Sequence, residues 1–170
     1  NSLSKLKSVP GRLEQISLGQ EFTALVDYAH TPDALKNVLE TINTIRSGNE
    51  QLITVVGCGG DRDVEKRPKM GAIAAQLSTK VIFTSDNPRS ENPDTIIQHI
   101  EAGVPPQHYK KTIAISDRKQ AIKTACQMAK QHDIILVAGK GHETYQEIQG
   151  VRSEFDDRKT ISELLIALNK

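Results

Sequence analysis

Four stretches of this chain gather charged and small residues in the manner of ligand-binding loops. They read Asp27-Tyr28-Ala29-His30, Gly57-Cys58-Gly59-Gly60-Asp61-Arg62-Asp63, Asp86-Asn87-Pro88-Arg89 and Gly139-Lys140-Gly141-His142-Glu143. In the third, Arg89 offers a planar fork to a carboxylate, while Asp86 and Asn87 can receive an ammonium group. A loop with both kinds of partner suits a zwitterion such as a free amino acid, and Glu143 could take a second ammonium. A bare turn is the competing reading, because Asn and Pro are turn residues. Asp27 can accept two ribose hydroxyls or cap the helix that follows. His30 can satisfy amides exposed at that helix start or border a ligand. Arg62 lies between Asp61 and Asp63, so a loop ion pair competes with a ligand contact.

Complete phosphate-binding patterns are missing. The Gly57 loop has Arg62 where G-x-G-x-x-G needs its last glycine. Gly139-Lys140-Gly141 lacks both the upstream glycine and the Ser/Thr of a P-loop. Gly59 and Gly60 are then expected to permit positive φ in a tight turn. His142 has no Cys or second His at ligand spacing, so no metal site is expected. No Gly-x-Ser-x-Gly elbow is present. His99, His108 and His132 read as surface residues.

These loops need elements to hold them. Short runs rich in β-branched and aliphatic residues span Thr23–Asp27, Leu52–Gly57, Val81–Ser85, Thr112–Ile115 and Ile134–Ala138. Most are continuously apolar, as in strands buried on both faces of a parallel sheet. Helical stripes fill the gaps. Thr31-Pro32 caps and opens one carrying Leu35, Val38, Leu39, Ile42 and Ile45. Pro68 opens a second, to about Leu77, and Asn92-Pro93 a third with Ile96, Ile97 and Ile100 inward. Ser116 or Asp117 caps a fourth, on which Cys126 is buried, and Asp156 or Asp157 caps a fifth. Leu13–Leu18 and Phe22–Asp27 read as an antiparallel pair. Tyr145–Ile148 and Val151–Phe155 read as a hairpin about Gly150. The expected fold is a Rossmann-like α/β domain. Its sheet is mostly parallel, about six strands with one antiparallel, and has helices on both faces. Such sheets bind ligands beyond the carboxyl ends of their strands, which brings the four loops onto one edge.

Composition removes other functions. The 22 Lys and Arg against 21 Asp and Glu leave no basic footprint for nucleic acid. Trp is absent and aromatics are 4%, so a base-stacking platform is not expected. No apolar run approaches the ~20 residues of a membrane span. Cys58 and Cys126 form neither a zinc site nor a disulfide framework, and a cytosolic chain keeps them as thiols.

Five blocks in order resemble the carboxy-terminal domain of the Mur ligases. They are Val9-Pro10-Gly11-Arg12, Val26-Asp27-Tyr28-Ala29-His30-Thr31-Pro32, Gly57–Asp63 with Lys66-Arg67-Pro68 following, Asp86–Arg89 and Gly139–Glu143. The resemblance covers nearly the whole chain. It implies a bacterial cytoplasmic ligase of peptidoglycan synthesis that uses ATP and Mg2+ to join an amino acid to a UDP-linked muramyl peptide through an acyl phosphate. The Asp-Asn-Pro-Arg form resembles that of members adding meso-diaminopimelate to UDP-MurNAc-L-Ala-D-Glu. The resemblance implies that lysine-adding relatives usually have another residue where Arg89 stands. Diaminopimelate carries one carboxylate more than lysine, and an Arg buried without it would be an unpaired charge. By resemblance, Arg62, Asp86, Asn87, Pro88, Arg89, Gly139 and Glu143 bind the amino acid. Arg12, Asp27 and His30 border the nucleotide.

The resemblance assigns the Gly-Lys-Thr phosphate loop, the modified lysine and most magnesium ligands to a central domain, and the UDP-sugar site to an amino-terminal one. Neither is in this sequence, which also lacks an initiator Met. The expectation is a linker at residues 1–8 and an amino-acid-binding domain at 9–170, inactive as a ligase by itself. The alternatives are a stand-alone nucleotide or amino-acid binding module and a related ligase adding another residue such as L-lysine.

Overall fold

The computed structural model describes residues 12–170. The linker reading of residues 1–8, and Val9, Pro10 and Gly11, lie outside the described residues. Strands β1 (Glu14–Ile16), β2 (Thr23–Asp27), β3 (Leu52–Val56), β4 (Lys80–Phe83), β5 (Thr112–Ala114) and β6 (Ile134–Ala138) form one sheet in the order β1-β2-β6-β3-β4-β5. Among the described residues of this sheet only the β1–β2 pairing is antiparallel. The Rossmann-like expectation holds.

The helices are α1 (Pro32–Ile45), α2 (Lys66–Leu77), α3 (Pro93–Glu101), α4 (Arg118–Met128) and α5 (Asp157–Ala167). The chain steps from β2 to β3, β4 and β5 in one direction, and right-handed crossovers put α1, α2 and α3 on one face. It then reverses to insert β6 between β2 and β3, which sends α4 to the other face, where α5 joins it. Alternate strand residues divide accordingly. Leu52, Val56, Leu136 and Ala138 pack with α1 to α3, whereas Ile53, Val55, Ile135 and Val137 pack with α4 and α5.

Capping follows side-chain chemistry. Thr31, Asn92, Asp117 and Asp156 each accept a hydrogen bond from a first-turn amide. Two expectations change. Helix α2 begins at Lys66, so Pro68 is its third residue. First-turn amides have no intrahelical partner, so the missing N–H of Pro68 costs nothing there. Strand β5 is an edge with Ile113 44% exposed, and among the described residues nothing pairs with its outer side. Strands β7 (Tyr145–Ile148) and β8 (Val151–Glu154) form the expected hairpin, apart from the main sheet. Gln149 and Gly150 turn it with φ of 52° and 76°, as a tight two-residue turn requires.

Asp157 does not cap α5. Its carboxylate is buried against Arg118, whose Nε and Nη2 donate to it at 2.8 and 2.7 Å. The same guanidinium donates to the carbonyls of Ser85 and Ala138 at 3.0 and 3.2 Å. Those carbonyls immediately precede Asp86 and Gly139, so one buried cation ties two loops to α4 and α5. Arg118→Ala leaves Asp157 buried and unpaired, and is expected to lower the unfolding free energy by about 3–5 kcal/mol. Urea denaturation measures this, and a loss under about 1 kcal/mol contradicts the pair's structural role.

Candidate functional site

A cleft of about 370 Å³ opens beyond the carboxyl ends of the parallel strands. Of the expected residues, His30, Arg62, Asp86, Asn87, Arg89, Gly139 and Glu143 line it. Tyr28, Lys66 and Tyr145 join them. Pro88, Asp27 and Arg12 are not in the lining. A second hollow of about 390 Å³ lies against Thr23 and Ile134, the amino-terminal residues of β2 and β6. Parallel sheets do not place their ligands at that end.

The Asp86–Arg89 loop is held mainly by the hairpin. Gln146 Nε2 donates to the Asp86 carbonyl at 2.8 Å, and Arg89 N donates to the Glu147 carbonyl at 3.0 Å. Gln149 N donates to the Arg89 carbonyl at 2.7 Å. Arg89 is thereby fixed at φ 51°, a left-handed backbone uncommon outside glycine. Its Nη1 donates to the Gly60 carbonyl at 2.9 Å, and its Nε stands 3.9 Å from Glu147 Oε1. Among the described residues its Nη2 has no hydrogen-bond partner, so part of the fork is available to a ligand.

Asn87 departs from the expectation that it receives an ammonium from a ligand. Its Oδ1 already accepts from Lys140 Nζ at 2.8 Å and from Glu147 N at 2.9 Å. Both neighbours are donors, so the oxygen must face them. The amide NH2, with no acceptor among the described residues, is the group left for the cleft. Asn87 therefore offers the cleft a donor and not an acceptor.

Lys140 is the largest feature not foreseen from the sequence, where it stood in the Gly139–Glu143 loop with no role of its own beyond that of the lysine in an incomplete P-loop. It is fully buried. Besides Asn87, its ammonium donates to the Tyr145 carbonyl at 2.9 Å, and it lies 3.4 Å from Asp86 Oδ1 and 3.7 Å from Glu143 Oε1. Burial lowers its pKa, and the charges of Asp86 and Glu143 oppose that shift. Tyr28 also went unnoticed. Burial, and behind it the charges of Glu143 and Asp86, raises its phenol pKa, so it stays a hydrogen-bond donor at neutral pH.

The glycines act by close approach, not by the positive φ expected of Gly59 and Gly60. A Cβ on Gly60 would run into the Pro88 carbonyl, and one on Gly59 would stand 2.8 Å from Arg89 Nη1. The left-handed residue of that loop is Asp61, at φ 56°. Gly139 does need its freedom, with φ at 117° and room for a Cβ closed by Asp86 Oδ2 at 2.7 Å. Arg62 forms no ion pair with Asp61 or Asp63. It is exposed, and its Nη1 donates to the Asp61 carbonyl at 2.9 Å.

Asp27 caps nothing either. Its two oxygens accept from Leu13 N and Ala29 N, both at 2.8 Å, and burial raises its pKa against those bonds. This holds the start of β1 to the end of β2, beside exposed Arg12. His30 contacts the Tyr28 carbonyl at 2.9 Å and not the helix amides, which Thr31 serves.

Arg67, fully buried, braces the cleft wall. It donates to both Glu91 oxygens, to the Gly59 carbonyl at 3.1 Å and to His99 Nδ1 at 3.0 Å. His99 is thus a partner and not a plain surface residue.

The family described as "Mur ligase, glutamate ligase domain" matches residues 11–141. That match spans most of the chain. The chain belongs to the Mur ligase family. The relative named UDP-N-acetylmuramoyl-L-alanyl-D-glutamate--2,6-diaminopimelate ligase from Cytophaga hutchinsonii is 56% identical over 99% of this chain. A solved structure with the same enzyme name shares 45% identity over 98% of this chain, with a TM-score of 0.86. A murein peptide ligase from Psychrobacter arcticus, 17% identical with a TM-score of 0.66, shares the fold. The chain spans about a third of the length of the curated relatives it matches, 34% of the first.

In this Mur ligase domain, acid should loosen the cleft wall. The bond from Arg67 holds the Glu91 carboxyl below its ordinary pKa. Its contribution to stability is therefore full above the ordinary carboxylate range, near pH 4.5, and lost as pH falls through the lowered native value. The melting temperature of Glu91→Gln should lie below wild type at pH 6, and the gap should narrow between pH 5 and pH 3. A gap constant with pH would show that the Arg67 bond does not depend on the charge.

Proposed function

We propose that this chain is the amino-acid-binding domain of a cytoplasmic ATP-dependent ligase adding meso-diaminopimelate to UDP-MurNAc-L-Ala-D-Glu in peptidoglycan synthesis. The observation that carries the reading is a pair of donors among the residues lining the cleft, the open edge of Arg89 and the NH2 of Asn87. Both suit a carboxylate. Glu143 and Asp86 bring negative charge to the same cleft for an ammonium. A zwitterionic end group meets both sets, whereas the bare amine of lysine would leave the donors unsatisfied. The names of the relatives point to the same substrate.

In this reading Asp86, Asn87, Pro88 and Arg89 form the specificity loop. Gly139 and Glu143 hold the ammonium of the distal centre, and Arg62 contacts the amino acid from the rim. Arg12 and His30, both exposed, and Asp27, whose carboxylate keeps spare acceptor positions, suit a nucleotide's ribose and neighbouring groups. ATP with Mg2+, bound mainly by the rest of such a protein, activates the glutamate carboxylate. The part of this chain is to orient the incoming amine toward it. Catalysis then needs the other two thirds of the relatives' length, including the UDP-muramyl peptide site, and the isolated chain is expected to be inactive.

Calorimetry of the full-length protein with meso-diaminopimelate and L-lysine tests this. Arg89→Ala should weaken meso-diaminopimelate binding by about 2–5 kcal/mol, the cost of breaking a desolvated charge pair. The effect on lysine should be much smaller. Unchanged affinity and selectivity in Arg89→Ala would sink the substrate assignment.

A further inference from the structure

We propose that Lys140 is the positioning residue that makes this cleft select a zwitterionic end group. The inference rests on the amino-acid-binding reading above. Two effects follow from the geometry. First, Lys140 Nζ and Glu147 N together occupy Asn87 Oδ1 from behind, which turns the amide NH2 toward the ligand. Without the ammonium, only one donor opposes a flip of the amide, and a flipped Asn87 presents an acceptor to the carboxylate. Second, Lys140 lies within 4 Å of both Asp86 and Glu143. One cation beside two carboxylates leaves a net single negative charge. That balance matches one ammonium next to a carboxylate. Two uncompensated negative charges would favour a plain ammonium and repel the carboxylate beside it.

Lys140 reaches no cleft surface, being fully buried, so it acts through these residues and not by touching ligand. A fully buried ammonium needs acceptors fixed in place. Asn87 and the Tyr145 carbonyl supply two at 2.8 and 2.9 Å. The Asp86 and Glu143 carboxylates lie on the remaining side.

The test uses the full-length protein and steady-state kinetics with meso-diaminopimelate and L-lysine. In Lys140→Met the ratio of kcat/KM for the two amino acids should fall about 10- to 100-fold, through a raised KM for meso-diaminopimelate. The KM values for ATP and for the UDP-linked peptide should stay within about twofold. If Lys140 acts through Asn87, the double variant with Asn87→Ala should be no worse than Asn87→Ala by more than about threefold. An unchanged ratio or a parallel loss for every substrate would overturn the proposal, and fully additive effects would overturn the route through Asn87. If Lys140→Met shows no cooperative melt, Lys140→Gln keeps a donor for Asn87 and removes the charge. It must still lower the ratio by about threefold or more. A wild type with no preference for meso-diaminopimelate would instead sink the substrate reading. The coupling of residues 140 and 87, measured on whichever amino acid is accepted, would still decide the role of Lys140.

Discussion

The cleft depends on an ammonium that water cannot reach. Removing a charge from water costs several kcal/mol even after the protein relaxes, so a buried lysine is tolerated only where acceptors are fixed around it. Lys140 draws them from three places: the loop after β4, the start of the hairpin, and its own loop after β6. Segments far apart in the chain must therefore meet at one atom. The same contacts orient Asn87 and hold Asp86 and Glu143 at the cleft, so the cation that demands convergence also arranges the cleft wall.

Two further cations repeat the device around it. Arg118 joins α5 to the carbonyls that lead into the Asp86 and Gly139 loops, and Arg67 joins the Gly59 loop to Glu91 and His99. Their planar forks pair a carboxylate through two parallel N–H groups, a geometry the single ammonium of a lysine lacks. Close approaches lock the same loops sterically, of the Pro88 carbonyl to Gly60 and of the Asp86 carboxylate to Gly139. A left-handed Arg89 persists because the hairpin bonds it on both sides. The outcome is a cleft whose wall is held by buried charges and hydrogen bonds within the chain.

Local patterns made most of the framework legible. Thr31-Pro32 and Asn92-Pro93 mark helix starts because capping is satisfied within one turn. The continuous apolar runs of β3 and β6 identify central strands, because both faces are covered. Thr112–Ala114 misled as a buried strand because position in the sheet is not a local property. The four polar loops were recognisable because they follow strands whose carboxyl ends share an edge. Their internal partners were not. Asn87 read as an acceptor for ligand because nothing nearby in sequence reveals that its oxygen is taken by Lys140 and Glu147. Arg118 and Asp157 stand 39 residues apart, and neither carries a local sign of pairing.

The sequence by itself determined the α/β class, the antiparallel entry strand, the loops that line the cleft and the family they resemble. These rest on periodicity, capping and short motifs, which are properties of neighbouring residues. Tertiary structure alone decided which side of each polar group is taken by internal partners and which is left to the cleft. That choice depends on desolvation, and a lysine or arginine is deprived of water only by residues distant in the chain that close over it. The direction of Asn87, the reason for Gly60 and the burial of Lys140 were therefore outside the reach of any local pattern.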